Sequence, residues 1–239
     1  MRFNETIPTG DYCTGGKYLF MKGHIKNWND NYQLGRFNRY PYDEVVSFVL
    51  SNYSSANRDQ TRILDLGCGG GNHVKFLRDE GFDFYGVDGS EESIRITDNL
   101  LHTKSDGKLF VADFTKLPFE SQYFDAIIDR QSMGHNRIDD IVLITKEIYR
   151  ILKKGGRYHG HVFGINDAGF SQGTLIGSND YDNFKGGHFK MSHLVHGFTV
   201  EEIKSLFNPF SQLSVQRQVT YDVLSNYLQQ EIYYINATK

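Results

Sequence analysis

The chain has 239 residues, with 26 lysines and arginines against 29 aspartates and glutamates, which gives a formal charge of −3. This slightly acidic balance argues against a protein that binds polyanions through bulk electrostatics. The length predicts one domain with elaborations, and 39% hydrophobic and 14% aromatic residues supply the apolar surface for a packed core. Disorder of the whole chain is therefore not expected.

The two cysteines, Cys13 and Cys68, are too few for a disulfide framework. The first residues lack the apolar segment of a signal peptide, and no apolar run approaches the roughly 18 residues that span a bilayer. We therefore expect a cytoplasmic protein with no membrane partner. Its richness in Asn, Tyr and Phe is typical of an AT-rich bacterial genome.

From residue 61 onward, short β-branched runs alternate with amphipathic stretches, a pattern that predicts a parallel sheet with helices on both faces. Strands are predicted at 61–66, 82–88, 108–113, 123–129 and 157–163, and helices at 72–80, from residue 90, at 138–154 and at 199–207. Residues 213–220 and 231–237 alternate well enough to form a terminal antiparallel pair. The segment 164–197 is rich in Gly, Asn, Asp and His without periodicity, which predicts a long functional loop or lid.

The densest chemical signal is the loop Asp65-Leu66-Gly67-Cys68-Gly69-Gly70-Gly71-Asn72, between the first predicted strand and the first predicted helix. Glycine permits positive φ and close backbone approach, so such a turn can wrap a ligand. A dinucleotide-binding G-x-G-x-x-G motif would need a glycine where Asn72 stands. The glycines fall at 67, 69 and 71 instead, which disfavours an NAD-dependent oxidoreductase.

This G-x-G-x-G loop, with an acidic residue two positions before it, resembles that of the class I S-adenosylmethionine-dependent methyltransferases, in particular bacterial enzymes acting on small molecules. The resemblance continues through residues 85–88, 111–114, 117–119, 124–129 and 152–156. It implies a Rossmann-like α/β fold, with a seven-stranded, mostly parallel sheet, an antiparallel terminal strand and helices on both faces. It also implies S-adenosylmethionine as cofactor and S-adenosylhomocysteine as product.

In this reading two acidic residues at strand ends contact the adenosine. Asp88, 21 residues beyond Gly67, would accept hydrogen bonds from both ribose hydroxyls, with Gly89 beside it. Asp113 would accept from the adenine amino group, and the Phe114 amide would donate to the ring. The alternative is that these aspartates only cap helices or solvate strand ends.

The same resemblance assigns the methionyl end of the cofactor to the first and fourth strands. Asp65 and the main chain near Asp129 would hold the ammonium group. Gly67 and Gly69, with the small Cys68 between them, would keep the loop free of side chains where the cofactor lies.

Six of the nine histidines lie between residues 135 and 196, on elements expected to overhang the methyl group. Methyl transfer from a sulfonium needs chiefly alignment and exclusion of water, and it needs a base only for a weakly acidic acceptor such as an alcohol. His135, directly after the fourth strand, is the first candidate base, and His161 on the fifth strand is the second. Either could instead be structural, His135 as a surface or capping residue and His161 as a satisfied core histidine. No metal is expected, because no carboxylate or cysteine spacing completes a coordination set.

Residues 1–40 carry six basic residues, three acidic residues and eight aromatic residues. Such a segment could cover the adenosine and recognise a phosphate or carboxylate on the acceptor, with Arg36 and Arg39 as the best anion partners. Arg39 is also a candidate cofactor-binding residue. Packing of its aromatic residues onto the sheet is an equally open alternative. We expect one methyltransferase domain, with a covering segment at 1–60, a cofactor-binding core at 61–163, the lid at 164–198 and a terminal helix and strands at 199–239.

The sequence thus predicts methylation of a small polar metabolite, with oxygen favoured as the acceptor atom. A sugar, a surface-glycan precursor and a secondary metabolite are the candidate classes of acceptor. A nucleic-acid methyltransferase is weakened by the acidic charge and by the lack of an appended RNA-binding module. A non-catalytic S-adenosylmethionine-binding regulatory protein is the alternative from another functional class.

Overall fold

The computed structural model describes residues 25–101, 108–225 and 227–239. The strands in chain order are β1 (Arg62–Leu66), β2 (Asp83–Asp88), β3 (Leu109–Val111), β4 (Phe124–Arg130), β5 (Leu152–Phe163), β6 (Thr174–Gly177), β7 (Asp180–Asp182), β8 (Leu194–His196), β9 (Gln212–Asp222) and β10 (Tyr227–Thr238). Residues 25–33 are helical and are called α1. The other α-helices are α2 (Asp43–Asn52), α3 (Asn72–Asp79), α4 (Glu91–Leu101), α5 (Ile138–Ile151) and α6 (Val200–Leu206).

Seven of the described strands form one sheet in the spatial order β3-β2-β1-β4-β5-β10-β9. The pairs from β3 to β5 are parallel, and β10 runs antiparallel to both β5 and β9. This arrangement confirms the predicted fold class. The strand order reverses between β1 and β4, so a crevice forms at their carboxyl ends, where sheets of this kind bind ligands.

The two faces of the sheet carry separate apolar layers, as the alternation along β1 requires. Ile63 packs with Val49 of α2 on one face. Leu64, the next residue, packs with Ile144 and Ile148 of α5 on the other. The apolar residues Ile141, Ile144, Ile148 and Ile151 form the buried face of α5.

The boundary between α5 and β5 differs from the prediction of a helix over 138–154. The helix ends at Ile151, Leu152 is already extended, and the Lys153 ammonium pairs with Asp125 of the neighbouring β4 at 2.7 Å. Gly155, at φ +77°, lies in a bulge where the pairing of β4 with β5 shifts register. In the sequence, Gly155 and Gly156 follow the predicted helix and resemble a helix stop. In the structure they lie within β5 and bend that strand.

The segment 164–197 is not a structureless lid. It contains the antiparallel sheet β6-β7-β8 and a cluster of aromatic residues that includes Phe170 and Phe189. Buried Asp167 connects the segment to the main sheet, since its carboxylate accepts from the Gly169 amide at 2.8 Å and from the Glu231 amide of β10 at 3.1 Å. A Cβ on Gly169 would overlap the Phe189 ring, so this glycine is there for packing, although in the sequence it resembles a loop residue.

Residues 25–60 of the predicted covering segment lie over the sheet, and residues 1–24, which include Cys13, lie outside the described residues. α1 contacts the inserted segment, because the side-chain amides of Asn27 and Asn31 donate to the Met191 carbonyl at 2.8 and 3.2 Å. Within the ranges described, no helix combines the length and the apolar character needed to cross a bilayer.

Candidate active site

A cavity of about 660 Å³ lies at the carboxyl ends of β1, β2 and β4. It is lined by the glycine loop 67–70, by residues 88–90, 111–115 and 130–132, and by Trp28 and Tyr32 of α1. Its volume is within the range of small-molecule sites in proteins. The cavity therefore occupies the crevice that the strand order creates.

The glycine loop lines the cavity as predicted, but contacts within the chain also require glycine at these positions. Gly67 and Gly69 have φ values of +76° and +54°, which favour glycine. A Cβ on Gly67 would overlap the Ser132 side chain, and one on Gly69 would lie 3.2 Å from the Tyr32 hydroxyl. Cys68 between them is buried, which raises the pKa of its thiol and keeps it neutral.

Asp88 lines the cavity at the end of β2, as predicted, with Gly89 beside it. Its carboxylate accepts from the Gly69 amide and from the Ser90 amide, each at 2.9 Å. Burial raises its pKa from 3.8 to about 6, against the lowering effect of these bonds. Because a carboxylate has about four lone-pair positions, two remain for hydroxyl donors of a ligand.

Asp113 and Phe114 also line the cavity, on the side of β3. The Asp113 Oδ1 accepts from the Thr115 amide at 2.8 Å and from the Thr115 hydroxyl at 2.7 Å. These bonds leave Oδ2 as the oxygen that could accept from an adenine amino group. The structure thus brings the predicted ribose and adenine residues to one end of the same cavity.

The other two predicted acids, Asp65 and Asp129, do not line the cavity. The Asp129 carboxylate is fully buried and accepts from the Ser132 and Met133 amides, at 2.9 and 3.2 Å, and from the Tyr158 hydroxyl at 3.1 Å. Burial raises its pKa to about 6. Its side chain therefore anchors the turn after β4, and it is the main chain beyond it that reaches the cavity.

Asp65 lies buried at the base of the glycine loop. Neither of its carboxylate oxygens has a hydrogen-bond partner in the part of the chain that the structure describes, and His73 Nδ1 lies 3.6 Å from Asp65 Oδ1. A buried carboxylate without hydrogen bonds is costly unless a ligand or water satisfies it. Asp65 thus has unused acceptor capacity beneath the loop, as its predicted role requires.

His135 lines the cavity and belongs to the short helical turn after β4. Its Nδ1 lies 2.9 Å from the Leu194 carbonyl of β8, and its ring meets the Trp28 ring edge-on at 5.0 Å. A carbonyl only accepts, so Nδ1 carries the hydrogen and Nε2 of the neutral ring keeps a lone pair. Burial lowers the pKa of His135, which favours that neutral form.

His161 does not line the cavity, and its predicted catalytic role finds no geometric support. It is buried in β5, with Nε2 2.9 Å from Nε2 of His159 and Nδ1 3.3 Å from Oε1 of Glu44. Burial and the neighbouring His159 lower its pKa to about 2. Its position matches the alternative reading, a core histidine held by neighbouring polar groups.

Arg39 is exposed and also lies outside the cavity lining, which instead includes Arg36. Sequence reasoning did not single out Arg130 and Gln131, which line the cavity at the end of β4. The signal for them was available, because residues that follow a parallel strand lie at the ligand-binding edge. Gln131 has φ +67°, an unusual value for a residue with a Cβ at such an edge.

The donors of the loop discriminate between cofactors. The Gly67 and Cys68 amides donate to a β2 carbonyl at 2.8 and 3.0 Å, and the Gly69 amide donates to Asp88. These amides are therefore not available to a pyrophosphate, which a dinucleotide would bring. The unsatisfied Asp65 carboxylate and the two acids at the adenosine end fit S-adenosylmethionine, a nucleoside with an ammonium group.

Comparisons with known proteins agree with this geometry. Residues 63–156 match the family described as a methyltransferase domain. The sterol 4-C-methyltransferase of Caenorhabditis elegans is 31% identical over 201 residues, which are 80% of this chain and 56% of that protein. The chain spans about half the length of this relative and of four further curated relatives that it matches.

Solved structures share the fold at low sequence identity. An S-adenosylmethionine-dependent methyltransferase of Methanosarcina mazei has a TM-score of 0.63 at 19% identity, over 84% of this chain and 98% of that one. The 1,6-didemethyltoxoflavin N1-methyltransferase of Burkholderia thailandensis, with its substrate and S-adenosylhomocysteine bound, has a TM-score of 0.58 at 18% identity, over 97% and 93%. The match identifies residues 63–156 as a methyltransferase domain, and the sheet order and the glycine loop agree with the fold of the S-adenosylmethionine-dependent methyltransferases.

Proposed function

We propose that the protein transfers a methyl group from S-adenosylmethionine to an oxygen of a small polar metabolite. The observation that carries this proposal is the presence of the adenosine-binding acids and of His135 in one cavity of about 660 Å³. When bound, S-adenosylmethionine supplies a methyl group activated by a positively charged sulfur. The chain has only to bind, to align and to move one proton.

Three residues would hold the adenosine. The Asp88 carboxylate accepts from the ribose hydroxyls, and the Asp113 carboxylate and the Phe114 amide meet the adenine edge. Asp65 beneath the loop supplies negative charge for the ammonium end. Trp28 of α1 covers the cavity and excludes water from the reacting atoms.

His135 would act as the base. Its Nε2 lone pair takes the hydroxyl proton of the acceptor while the acceptor oxygen bonds to the methyl carbon and the carbon–sulfur bond breaks. The Leu194 carbonyl fixes the tautomer and orientation of the ring, in the way that a second group orients a catalytic histidine in other enzymes. A buried neutral imidazole therefore keeps this role at pH 7.

Oxygen is favoured over nitrogen as the acceptor atom because an alcohol needs a base to remove its proton, whereas a neutral amine does not. The relatives alone do not choose the atom, since their names include a sterol C-methyltransferase and an O-methyltransferase of ubiquinone biosynthesis from Pelagibacter ubique. A sugar, a surface-glycan precursor and a secondary metabolite remain the candidate classes. We propose the cytoplasm as its compartment, which suits the unpaired Cys68 thiol.

We also propose that residues 1–239 act as one methyltransferase domain, in which 1–60 cover the ligands, 61–163 bind the cofactor, 164–198 position His135 and 199–239 complete the sheet. The hydrogen bonds of α1 and His135 to the inserted segment support this organisation.

Two measurements test the proposal. Calorimetric titration with S-adenosylhomocysteine should show binding, and a deproteinised cell extract with radiolabelled S-adenosylmethionine should yield a labelled small molecule. Binding without any labelled product from broad extracts would instead support the non-catalytic regulatory alternative. Labelling of RNA or DNA in place of a metabolite would support the nucleic-acid alternative.

A further inference from the structure

The cavity contains a buried cation that the adenosine-binding residues do not use. Arg130 ends β4 and lines the cavity, and its side chain is only 17% exposed. Its guanidinium lies over the Tyr42 ring, with Cζ 4.0 Å from the ring centroid. Its Nε is buried without a hydrogen-bond partner in the described part of the chain.

The carboxylate nearest to Arg130 does not satisfy it. The closest pair of atoms, Arg130 Nε and Glu44 Oε1, is 3.6 Å apart, which is beyond hydrogen-bond distance. Glu44 is also shared with His161, whose Nδ1 lies 3.3 Å from the same oxygen. Burial raises the pKa of Glu44, against the lowering effect of Arg130.

A second guanidinium lies at the same cavity. Arg36 follows α1 and contacts the Asn31 amide oxygen at 3.4 Å and the Met191 sulfur at 3.5 Å, both of them uncharged groups. Within the described ranges it forms no ion pair. The described lining of the cavity thus includes three acidic residues, Asp88, Asp113 and Asp140, and two arginines, Arg36 and Arg130.

A buried guanidinium is stable only when its donors and charge are met, and its planar fork matches carboxylate and phosphate groups. From this geometry we propose that Arg130, with Arg36 at the rim, is an oxyanion subsite for the methyl acceptor. The acceptor then carries a carboxylate or phosphate group in addition to the hydroxyl that is methylated. This inference rests on the proposed function, because it names the substrate class of the same site.

Contact with Tyr42 restricts how the Arg130 guanidinium can present its donors. The ring fixes one face of the guanidinium, so the donors on its edge remain for a ligand. Neutral sugars and sterols offer no partner for this charge. Acidic sugars, hydroxy acids and phosphorylated metabolites do.

The test compares Arg130→Gln and Arg130→Lys with the control Arg95→Gln, which removes a surface arginine of α4 that pairs with Glu92. All variants are first shown to melt cooperatively. Protein saturated with S-adenosylhomocysteine is then titrated with inorganic phosphate and with acetate. We expect binding of at least one anion to the unsubstituted protein, weakened at least tenfold by Arg130→Gln and less by Arg130→Lys, with Arg95→Gln unchanged.

The second arm separates the acceptor from the cofactor as the source of the oxyanion. Each variant is titrated with S-adenosylhomocysteine and with 5′-methylthioadenosine, which lacks the amino-acid group. If the Arg130 variants bind both ligands as tightly as the unsubstituted protein does, the proposal is supported. A loss of S-adenosylhomocysteine affinity alone would overturn it, because Arg130 would then hold the cofactor's carboxylate.

The third arm uses the labelled product. We expect the product to be retained on an anion-exchange resin, and we expect Arg130→Gln to raise KM for its precursor more than it lowers kcat. A labelled product that passes through the resin would overturn the subsite and leave the methyltransferase proposal intact. If no extract is labelled, the methyltransferase proposal fails, and the anion titration still decides the subsite.

Discussion

Asp88 should make cofactor binding depend on pH between 5 and 7.5, and Asp88→Asn should remove that dependence. Both carboxylate oxygens already accept a backbone amide at 2.9 Å, and burial raises the pKa to about 6. The ionised form accepts from ribose hydroxyls, whereas the protonated form has lost acceptor capacity. Affinity is therefore full above pH 7 and falls as the pH drops through about 6.

The size of the effect follows from the fraction of ionised carboxyl. One unit below the pKa, at pH 5, only about a tenth of the free protein is ionised, so the apparent Kd rises roughly tenfold, or about 1.4 kcal/mol. The assay is calorimetry with S-adenosylhomocysteine from pH 5 to 7.5. Asp88→Asn should bind more weakly at every pH and without a slope, whereas Asp113→Asn should bind more weakly and keep the slope. A flat profile for the unsubstituted protein would refute the reasoning.

The same burial has the opposite consequence for folding. Because the folded-state pKa of Asp88 is raised from 3.8 to about 6, its contribution to stability is fully present below 3.8 and is lost as the pH rises through 6. The shift corresponds to about 3 kcal/mol. The fold is thus less stable at neutral pH, where the Asp88 carboxylate that we propose to bind the ribose is charged.

Three further variants test the site and its support. His135→Gln should lower kcat by about 100-fold or more while cofactor affinity stays within twofold. The control His193→Gln, which replaces an exposed histidine of the inserted segment, should leave both unchanged. A loss of cofactor affinity in His135→Gln would assign His135 to the cofactor site. In thermal denaturation, Gly67→Ala should cost about 2–4 kcal/mol and Gly81→Ala about 1 kcal/mol, because both have positive φ but only a Cβ on Gly67 overlaps another residue; equal costs would contradict the packing argument. His161→Leu should lower the free energy of unfolding by about 1–3 kcal/mol with kcat changed less than threefold, and a fall in kcat as large as that of His135→Gln would restore it as a catalytic candidate.

Much of the fold could be predicted from local pattern. Alternating β-branched strands and amphipathic helices determine a parallel sheet, and its carboxyl edge determines where ligands bind. Asp88 and His135 could be placed at the cavity because Asp88 ends a recognisable strand and His135 lies in the turn after another. Their neighbour Arg130 could have been placed by the same rule.

The errors have physical causes that no local pattern reveals. Gly155 and Gly169 resemble a helix stop and a loop residue, but one forms a bulge and the other makes room for an aromatic ring. Arg36 and Arg39 are three residues apart in similar surroundings, and only the fold of the chain over the sheet determines that Arg36 lines the cavity. Burial of His161 depends on pairing with β10 and packing under α2, which are long-range contacts.

Two carbonyl groups of the short stretch from Met191 to Leu194 hold parts of the proposed active site in place. One receives the amides of Asn27 and Asn31 from α1, and the other receives the His135 ring. A graft that exchanged this stretch for that of another methyltransferase would alter the roof of the cavity and the proton acceptor together. With His135 as the proposed base, we expect substitutions in this stretch that broaden the acceptor range to change the turnover rate as well.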